Sequence, residues 1–351
     1  MALVVAAVNI YAGDAVGNHC FGIARLASRL GVACRMFAQG FKRDTKQVGP
    51  IEDLFTSITS DDTLLVIHSI FDSNLDRLLQ LTNRKICYFH GITPPELVEG
   101  FDGELAALCR RGIAQTLMFG KFDRIVTNSR LIARGLRNIV DVDCLHIVPP
   151  VFSDMSAFRQ APSTRVLDSK ILKLLSVGRV VPHKRIEDSI TFLRSLVDSG
   201  QQAKLMIVGG LVSIDYQASL IRHVRELDLL ESVTFAGTLS STDLYDVFKS
   251  SDVVMTTSVH EGFCVPILEA LHFGCHILVR SGTAAEELAV ENEVFKFPVI
   301  SVDLESTIAS CHFRRRSDDL EGGKKALRAA KVLAQASDEV WDDILRLKRN
   351  D

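Results

Sequence analysis

The segment that decides the fold begins Leu172-Lys173-Leu174-Leu175-Ser176-Val177-Gly178-Arg179-Val180-Val181-Pro182-His183-Lys184-Arg185-Ile186 and runs on to Gly200. Its first six residues form a short, largely apolar run and predict a strand over Leu172–Val177, which Gly178 ends. Ile186, Ile190, Leu193 and Val197 then recur at helical spacing on one face, and Gly200 closes the helix. A strand buried on both sides is apolar almost throughout, so this strand-glycine-helix unit belongs to a parallel sheet covered on both faces.

The same alternation extends outward in both directions. Upstream, apolar runs predict strands at Leu3–Ile10, Val32–Ala38, Leu64–His68, Lys85–His90, Arg124–Asn128 and Leu145–Val148. Helices are expected between them at Gly17–Leu30, Leu75–Leu81, Gly103–Phe119 and Ser129–Ile139. Downstream, strands are expected at Lys204–Val208, Val233–Phe235, Val253–Thr256 and His276–Val279. The result is an α/β chain of two doubly wound, Rossmann-like domains. Pro149-Pro150 and the polar stretch Ser153–Ser169 break both periods and place a linker near 152–170. The expected domains are 1–155 and 165–325. After the basic run Arg314, Arg315 and Arg316, a final helix is expected over Leu327–Leu347, with 326–351 packing back on one domain, the first being the candidate, through the sole tryptophan, Trp341.

Composition narrows the function classes. The 351 residues suit two average domains, and 47% hydrophobic against 24% charged residues supplies two cores. A net charge of −3 gives no general attraction to nucleic acid or to anionic lipid. Eight scattered cysteines, Cys311 among them, form no CxxC pair, so no zinc site is expected and the usage fits a reducing cytoplasm. Met1–Ile10 lacks the basic start and small-residue cleavage pattern of a signal peptide, and no apolar run approaches the length of a membrane span.

In open parallel sheets, ligands bind beyond the carboxyl ends of the strands. Arg179 and Lys184 leave one such end five residues apart, and a planar fork beside a compact charge suits a diphosphate. The bland alternative is a solvated surface pair. The run Ser258-Val259-His260-Glu261-Gly262-Phe263-Cys264-Val265-Pro266-Ile267-Leu268-Glu269 follows the strand Val253–Thr256. Pro266 suits the first turn of a helix, whose free N–H groups form an anion site. Glu261 then lies in the loop, and Glu269 about one turn into the helix, where it could accept from ribose hydroxyls. Local capping by both carboxylates is the ordinary alternative.

Together these features resemble the retaining glycosyltransferases of family 4, which have the GT-B fold of two facing domains with a cleft between them. The pattern is G-R-x4-K at Gly178, Arg179 and Lys184, then E-x7-E about eighty residues later at Glu261 and Glu269. Ile207-Val208-Gly209-Gly210, Val233-Thr234-Phe235-Ala236-Gly237, Leu244-Tyr245, Ser251-Asp252-Val253 and the glutamate Glu286 also match. Nearly all of 170–290 is covered. Gly13-Asp14-Ala15-Val16-Gly17-Asn18 is similar to the family's glycine-rich loop over the diphosphate, although it is not the G-x-G-x-x-G of dinucleotide enzymes. Tyr88-Phe89-His90-Gly91-Ile92-Thr93-Pro94-Pro95-Glu96 resembles a segment of bacterial polysaccharide-assembly members, which puts His90 beside the donor sugar. One departure is Cys264, where many members have glycine. A cysteine there is strained if its φ is positive.

The resemblance implies hexose transfer from a nucleoside diphosphate sugar, GDP-mannose or a UDP-hexose, to a glycan or lipid-linked acceptor in surface polysaccharide or lipopolysaccharide assembly. It implies retention, no metal and no cofactor beyond the co-substrate. The first domain would bind acceptor and the second the donor. Glu261, Arg179, Lys184 and His90 would be catalytic. Gly13, Gly17, Gly178, Gly209, Gly237, Leu239, Gly262, Phe263, Cys264, Val265 and Glu269 would line the donor. The rivals are an epimerase or hydrolase of nucleotide sugars on the same architecture, and an inactive binding subunit. Asp141-Val142-Asp143 is a D-x-D remote in sequence from the phosphate residues, and is not expected to hold metal. Arg110, Arg111, Lys121 and Arg124, interleaved with Leu117, Met118 and Phe119, read as a solvated helix face, with a peripheral membrane contact as the alternative.

Overall fold

The computed structural model describes residues 1–152, 156–160, 171–290, 293–297 and 319–345. The chain divides into two compact units, Met1–Met155 with Val332–Asp351, and Ser156–Lys331. The expected linker segment at 153–155 and 161–170, the basic run at 314–316 and Cys311 lie outside the described residues.

The first unit holds seven strands: β1 Ala2–Ile10, β2 Ala33–Phe41, β3 Val48–Pro50, β4 Thr63–His68, β5 Arg84–Phe89, β6 Arg124–Thr127 and β7 Leu145–Ile147. They form one sheet in the order β3-β2-β1-β4-β5-β6-β7, and every pairing is parallel. The helices are α1 Ala15–Arg29, α2 Ile51–Ser57, α3 Leu75–Gln80, α4 Gly103–Gln115 and α5 Arg130–Leu136. Side chains alternate across the pleat as a strand requires. Leu3, Val5 and Ala7 of β1 join Ile23 and Leu26 of α1 in one core, while Val4 and Ala6 join Leu54 of α2 and Ala106 of α4 in the other.

Two expectations need correction here, and two elements went unforeseen. The helix expected over Gly103–Phe119 leaves α geometry at Gln115 and tightens into a 3-10 turn over Thr116–Lys121. The strand expected to reach His90 stops at Phe89, because β6 pairs no further and His90 turns away into Gly91, at φ +80°. Strand β3 and helix α2 were not expected at all, since three and seven residues carry too little period to be seen.

The second unit opens with a four-residue helix, α6 Ser156–Arg159. Its strands are β8 Leu172–Val177, β9 Ala203–Val208, β10 Val233–Gly237, β11 Val253–Thr256, β12 His276–Arg280 and β13 Val294–Phe295. They form a second parallel sheet in the order β10-β9-β8-β11-β12-β13. Helix α7 Ile186–Asp198 packs Ile186, Ile190, Leu193 and Leu196 on β8 and β9. The others are α8 Ile214–Glu226, α9 Ser241–Ser250 and α10 Val265–His272. Strand order reverses between β8 and β11, the topological switch point, where open parallel sheets form a crevice beyond the carboxyl ends of the strands.

Residues 319–345 form two helices rather than the single one expected over Leu327–Leu347. α11 spans Asp319–Ala334 and α12 spans Asp338–Leu345, while 346–347 lie outside the described residues. Ser337 makes the break: its hydroxyl accepts from the Val340 amide at 3.4 Å, and Asp338 and Glu339 fill the first turn of α12. Trp341, Ile344 and Leu345 of α12 are buried in the α1 side of the first unit.

Candidate functional site

β8 delivers the chain into the crevice. Gly178 sits at φ +148° and Gly209, the residue after β9, lies against it. A Cβ on Gly209 would fall 1.8 Å from the Gly178 carbonyl oxygen, so the close approach of these two loops requires glycine. Arg179 is exposed and makes no hydrogen bond or ion pair with the described residues. A 3-10 turn over Pro182–Lys184 and a left-handed Arg185, at φ +52°, then lead into α7. This turn swings Lys184 back over the strand end.

The loop after β11 meets that turn. The Lys184 Nζ donates to Glu261 Oε1 at 2.7 Å, with side chains 21% and 10% exposed. The Val259 amide donates to the His183 carbonyl at 2.9 Å, and the Thr257 hydroxyl lies 2.8 Å from the Arg185 carbonyl oxygen and 2.9 Å from Ser189 Oγ. Arg280 of β12 ties in a third loop, donating to the Thr257 carbonyl at 2.6 Å and pairing with buried Asp188. Arg179, Lys184, Gly178, Ser176, Thr256 and Thr257 line one pocket.

Charge in this pocket is controlled by its neighbours. Burial alone would lower the Lys184 ammonium, but Glu261 overrides it and holds Lys184 above its ordinary value, so it stays charged. Burial, then the Lys184 cation, keeps His183 down at about 4 and neutral. Burial, reinforced by Glu261, pushes the Cys264 thiol well above its usual range, so it is a thiol and no nucleophile. Cys264 caps α10 at φ +83°, the strained conformation that its departure from glycine raised as a question. Gly262, buried Phe263, Cys264 and Val265 thus run from Glu261 directly into the start of α10, and Glu269 is half-buried one turn further on. The Gly209 amide donates to the Gly237 carbonyl at 2.8 Å, and half-buried Leu239 follows β10. Glu286 instead serves its own turn, accepting from the Gly282 amide at 2.7 Å.

Gly13, Gly17 and His90 belong to the first unit. Gly13 is at φ +94°, and Asp14 caps α1 by accepting from the Gly17 amide at 2.6 Å. A Cβ on Gly17 would meet the Tyr11 carbonyl oxygen at 1.8 Å. His90 donates its amide to the His68 carbonyl at 3.0 Å and accepts from Asn128 Nδ2 at 3.0 Å. Burial holds its ring down at about 4, so it is neutral. Asp141 accepts from the Asp143 amide at 3.1 Å and caps a turn, and no group of three metal-ligating side chains occurs among the described residues. Of the basic segment, Arg110 pairs with Glu99 at 2.5 Å and Arg111 lies over the Phe71 ring. No helix among the described residues is long and apolar enough to cross a membrane.

Sequence reasoning missed Thr256, Thr257 and His183. The first two stand at the end of β11, where the strand-end rule would have flagged them. His183 differs in kind, because its contribution is a backbone carbonyl that no sequence pattern reveals.

Residues 160–304 match the family model for glycosyl transferases group 1. Over 147 residues the chain is 25% identical to a mannosylfructose-phosphate synthase of Agrobacterium fabrum, covering 38% of this chain and 32% of that protein. It is 28% identical over 190 residues to a D-inositol 3-phosphate glycosyltransferase of Nocardia farcinica, covering 50% and 42%. The matched segments thus span well under half of either relative. Among solved structures, WaaG, a glycosyltransferase involved in lipopolysaccharide biosynthesis, superposes with a TM-score of 0.71 at 14% identity, covering 99% of this chain and all of the other. The fold is GT-B.

Proposed function

We propose that this chain, a group 1 glycosyl transferase by its residues 160–304 and GT-B in fold, moves a hexose from a nucleoside diphosphate sugar to a hydroxyl of a glycan or lipid-linked acceptor. The observation that carries the reading is the convergence of Arg179, Lys184 and Glu261 in the β8–β11 crevice beside the start of α10. Retention at the anomeric carbon rests on the resemblance to family 4. A role in surface polysaccharide assembly rests on the resemblance of the segment around His90 to polysaccharide-assembly members, and an O-antigen chain mannosyltransferase of Salmonella typhimurium is 29% identical over 124 residues.

Departure of the diphosphate concentrates negative charge on the leaving oxygens and leaves an oxocarbenium-like sugar. In this reading Arg179 takes phosphate oxygens with its fork. Lys184 has three N–H donors, of which Glu261 uses one, so the ammonium can hold Glu261 and phosphate at once. The N–H groups at the start of α10 supply the rest, and the charge is met without a metal. Glu261 accepts from the sugar and Glu269 from the ribose; for neutral His90, the resemblance to family 4 implies a hydrogen bond to a sugar hydroxyl.

Arg179→Ala is the cleanest test, because the side chain is exposed and unpaired among the described residues. It should lower kcat by roughly 10²–10³, about 2.7–4 kcal/mol of transition-state stabilisation, while the urea midpoint stays at the wild-type value. Screening GDP-mannose and UDP-hexoses by thermal shift identifies the donor. Wild-type turnover in the variant sinks the assignment. Equal donor consumption with and without acceptor would point to a hydrolase.

A further inference from the structure

The His90 ring is held from behind. Its Nε2 lies 2.9 Å from Nδ1 of His19, an α1 residue only 1% exposed. His19 meets Tyr88 edge-on at 4.1 Å between ring centroids and Trp341 edge-on at 6.1 Å. The Tyr88 and Trp341 rings are themselves stacked, and the Tyr88 hydroxyl is committed to the Val148 carbonyl at 2.8 Å. His19 is thus flanked by rings, one of them supplied by α12.

Two buried polar atoms of this cluster, His19 Nε2 and Trp341 Nε1, lack a hydrogen-bond partner among the described residues. An indole nitrogen can only donate, whereas a neutral imidazole donates at one nitrogen and accepts at the other. One proton lies between His19 and His90. If it were carried by His90, His19 would bear its own proton on Nε2, and the cluster would bury two orphan donors. If it is carried by His19, the orphans become one donor and one acceptor, which a small ring movement or one water can satisfy. The second arrangement leaves a complementary donor and acceptor in place of two like donors, which favours it. Burial also keeps both imidazoles neutral.

We propose that His19 is a positioning residue: it donates Nδ1–H to His90 Nε2, fixes His90 as the Nδ1–H tautomer, and so makes His90 a donor toward substrate oxygen rather than a base. The tautomer claim stands on the cluster alone; its consequence for turnover rests on the transferase reading above. The physical logic is that a ring nitrogen's protonation is set by the bond its opposite nitrogen makes.

Nitrogen-15 spectra of the histidine rings at neutral pH test this directly, with His90 assigned by the signals lost in His90→Ala. The expected result is a protonated Nδ1 and a bare Nε2 on His90. A proton on Nε2, or averaging between tautomers, overturns the proposal without recourse to activity. With UDP-glucose or GDP-mannose as donor, His19→Phe should lower kcat roughly 10–100-fold while leaving the donor KM within about twofold. His19→Asn keeps an N–H near the Nδ1 position and should recover most of the loss. Equal kcat in the wild type and both variants overturns the positioning role. Should either variant fail to fold, the wild-type spectrum still decides. Normal turnover of His90→Ala, with the wild-type tautomer as expected, leaves the His19 assignment intact and removes His90 from the transferase mechanism instead.

Discussion

A cysteine at φ +83° and ψ +73° occupies the residue before α10, where the backbone must reverse from the Glu261 loop into the helix. For an L-residue this left-handed conformation costs about 1–2 kcal/mol. The strain persists because the flanking contacts over-determine it, with Glu261 locked by Lys184 on one side and α10 on the other. Replacing Cys264 by alanine keeps the strain and loses the sulfur, whereas glycine loses the sulfur and the strain together. We therefore expect Cys264→Gly to be more stable than Cys264→Ala by about 1 kcal/mol, the reverse of the order at an ordinary position. Urea denaturation of the two variants measures the gap, and an alanine variant equal to or above glycine would contradict the backbone geometry. Sequence could raise this question at Cys264 but not answer it, because φ follows from the path of the loop and no residue type there dictates it.

At the scale of elements, the glycine-rich turn between β1 and α1 shows why a motif can be legible for reasons other than its ligand. Gly17 is the third residue of α1, and the helix start lies so close to β1 that a methyl group would overlap the Tyr11 carbonyl. Alanine is the better helix former by about 1 kcal/mol, yet here it must push α1 off the sheet. Gly17→Ala should destabilise the first unit by about 2 kcal/mol or more. An unchanged midpoint in chemical denaturation would show that α1 can retreat freely. The long strands and α7 were legible because apolar residues at every position, or at every third and fourth, leave few other readings. The pair β3–α2 was not, and neither was the two-residue β13, because such short elements are specified by their neighbours in the sheet. The break between α11 and α12 was legible in principle. Ser337-Asp338-Glu339 is a capping residue followed by an acidic first turn, masked by the helix-forming composition on either side. In the candidate site, the cations and carboxylates were visible by type and spacing. The threonines and carbonyls that orient them were not, since their roles come from the meeting of two loops far apart in sequence.

At the scale of the whole chain, the last helix belongs to the unit formed by the first residues. α12 seats Trp341, 0% exposed, with Ile344, 2% exposed, in the core that β1 and α1 build. Its ends are held by polar contacts: Asp338 pairs with Arg29 at 2.5 Å, and Arg84 donates to the Ile344 and Leu345 carbonyls at 2.7 and 2.9 Å. Arg84 satisfies carbonyls that a helix C-terminus leaves without intrahelical partners, so the attachment is specific at both ends as well as apolar between them. If α12 is part of the first unit's core, Ile344→Ala should destabilise that unit by about 2–5 kcal/mol, as truncation of a buried isoleucine does. Trp341 is the chain's sole tryptophan, so its fluorescence reports this unit without competition. Urea titration followed by that emission should show a buried, blue-shifted indole in the folded state and a midpoint displaced downward in Ile344→Ala. A midpoint that does not move would mean α12 is a loosely attached appendage. The wall behind His19 would then have to come from Tyr88 alone.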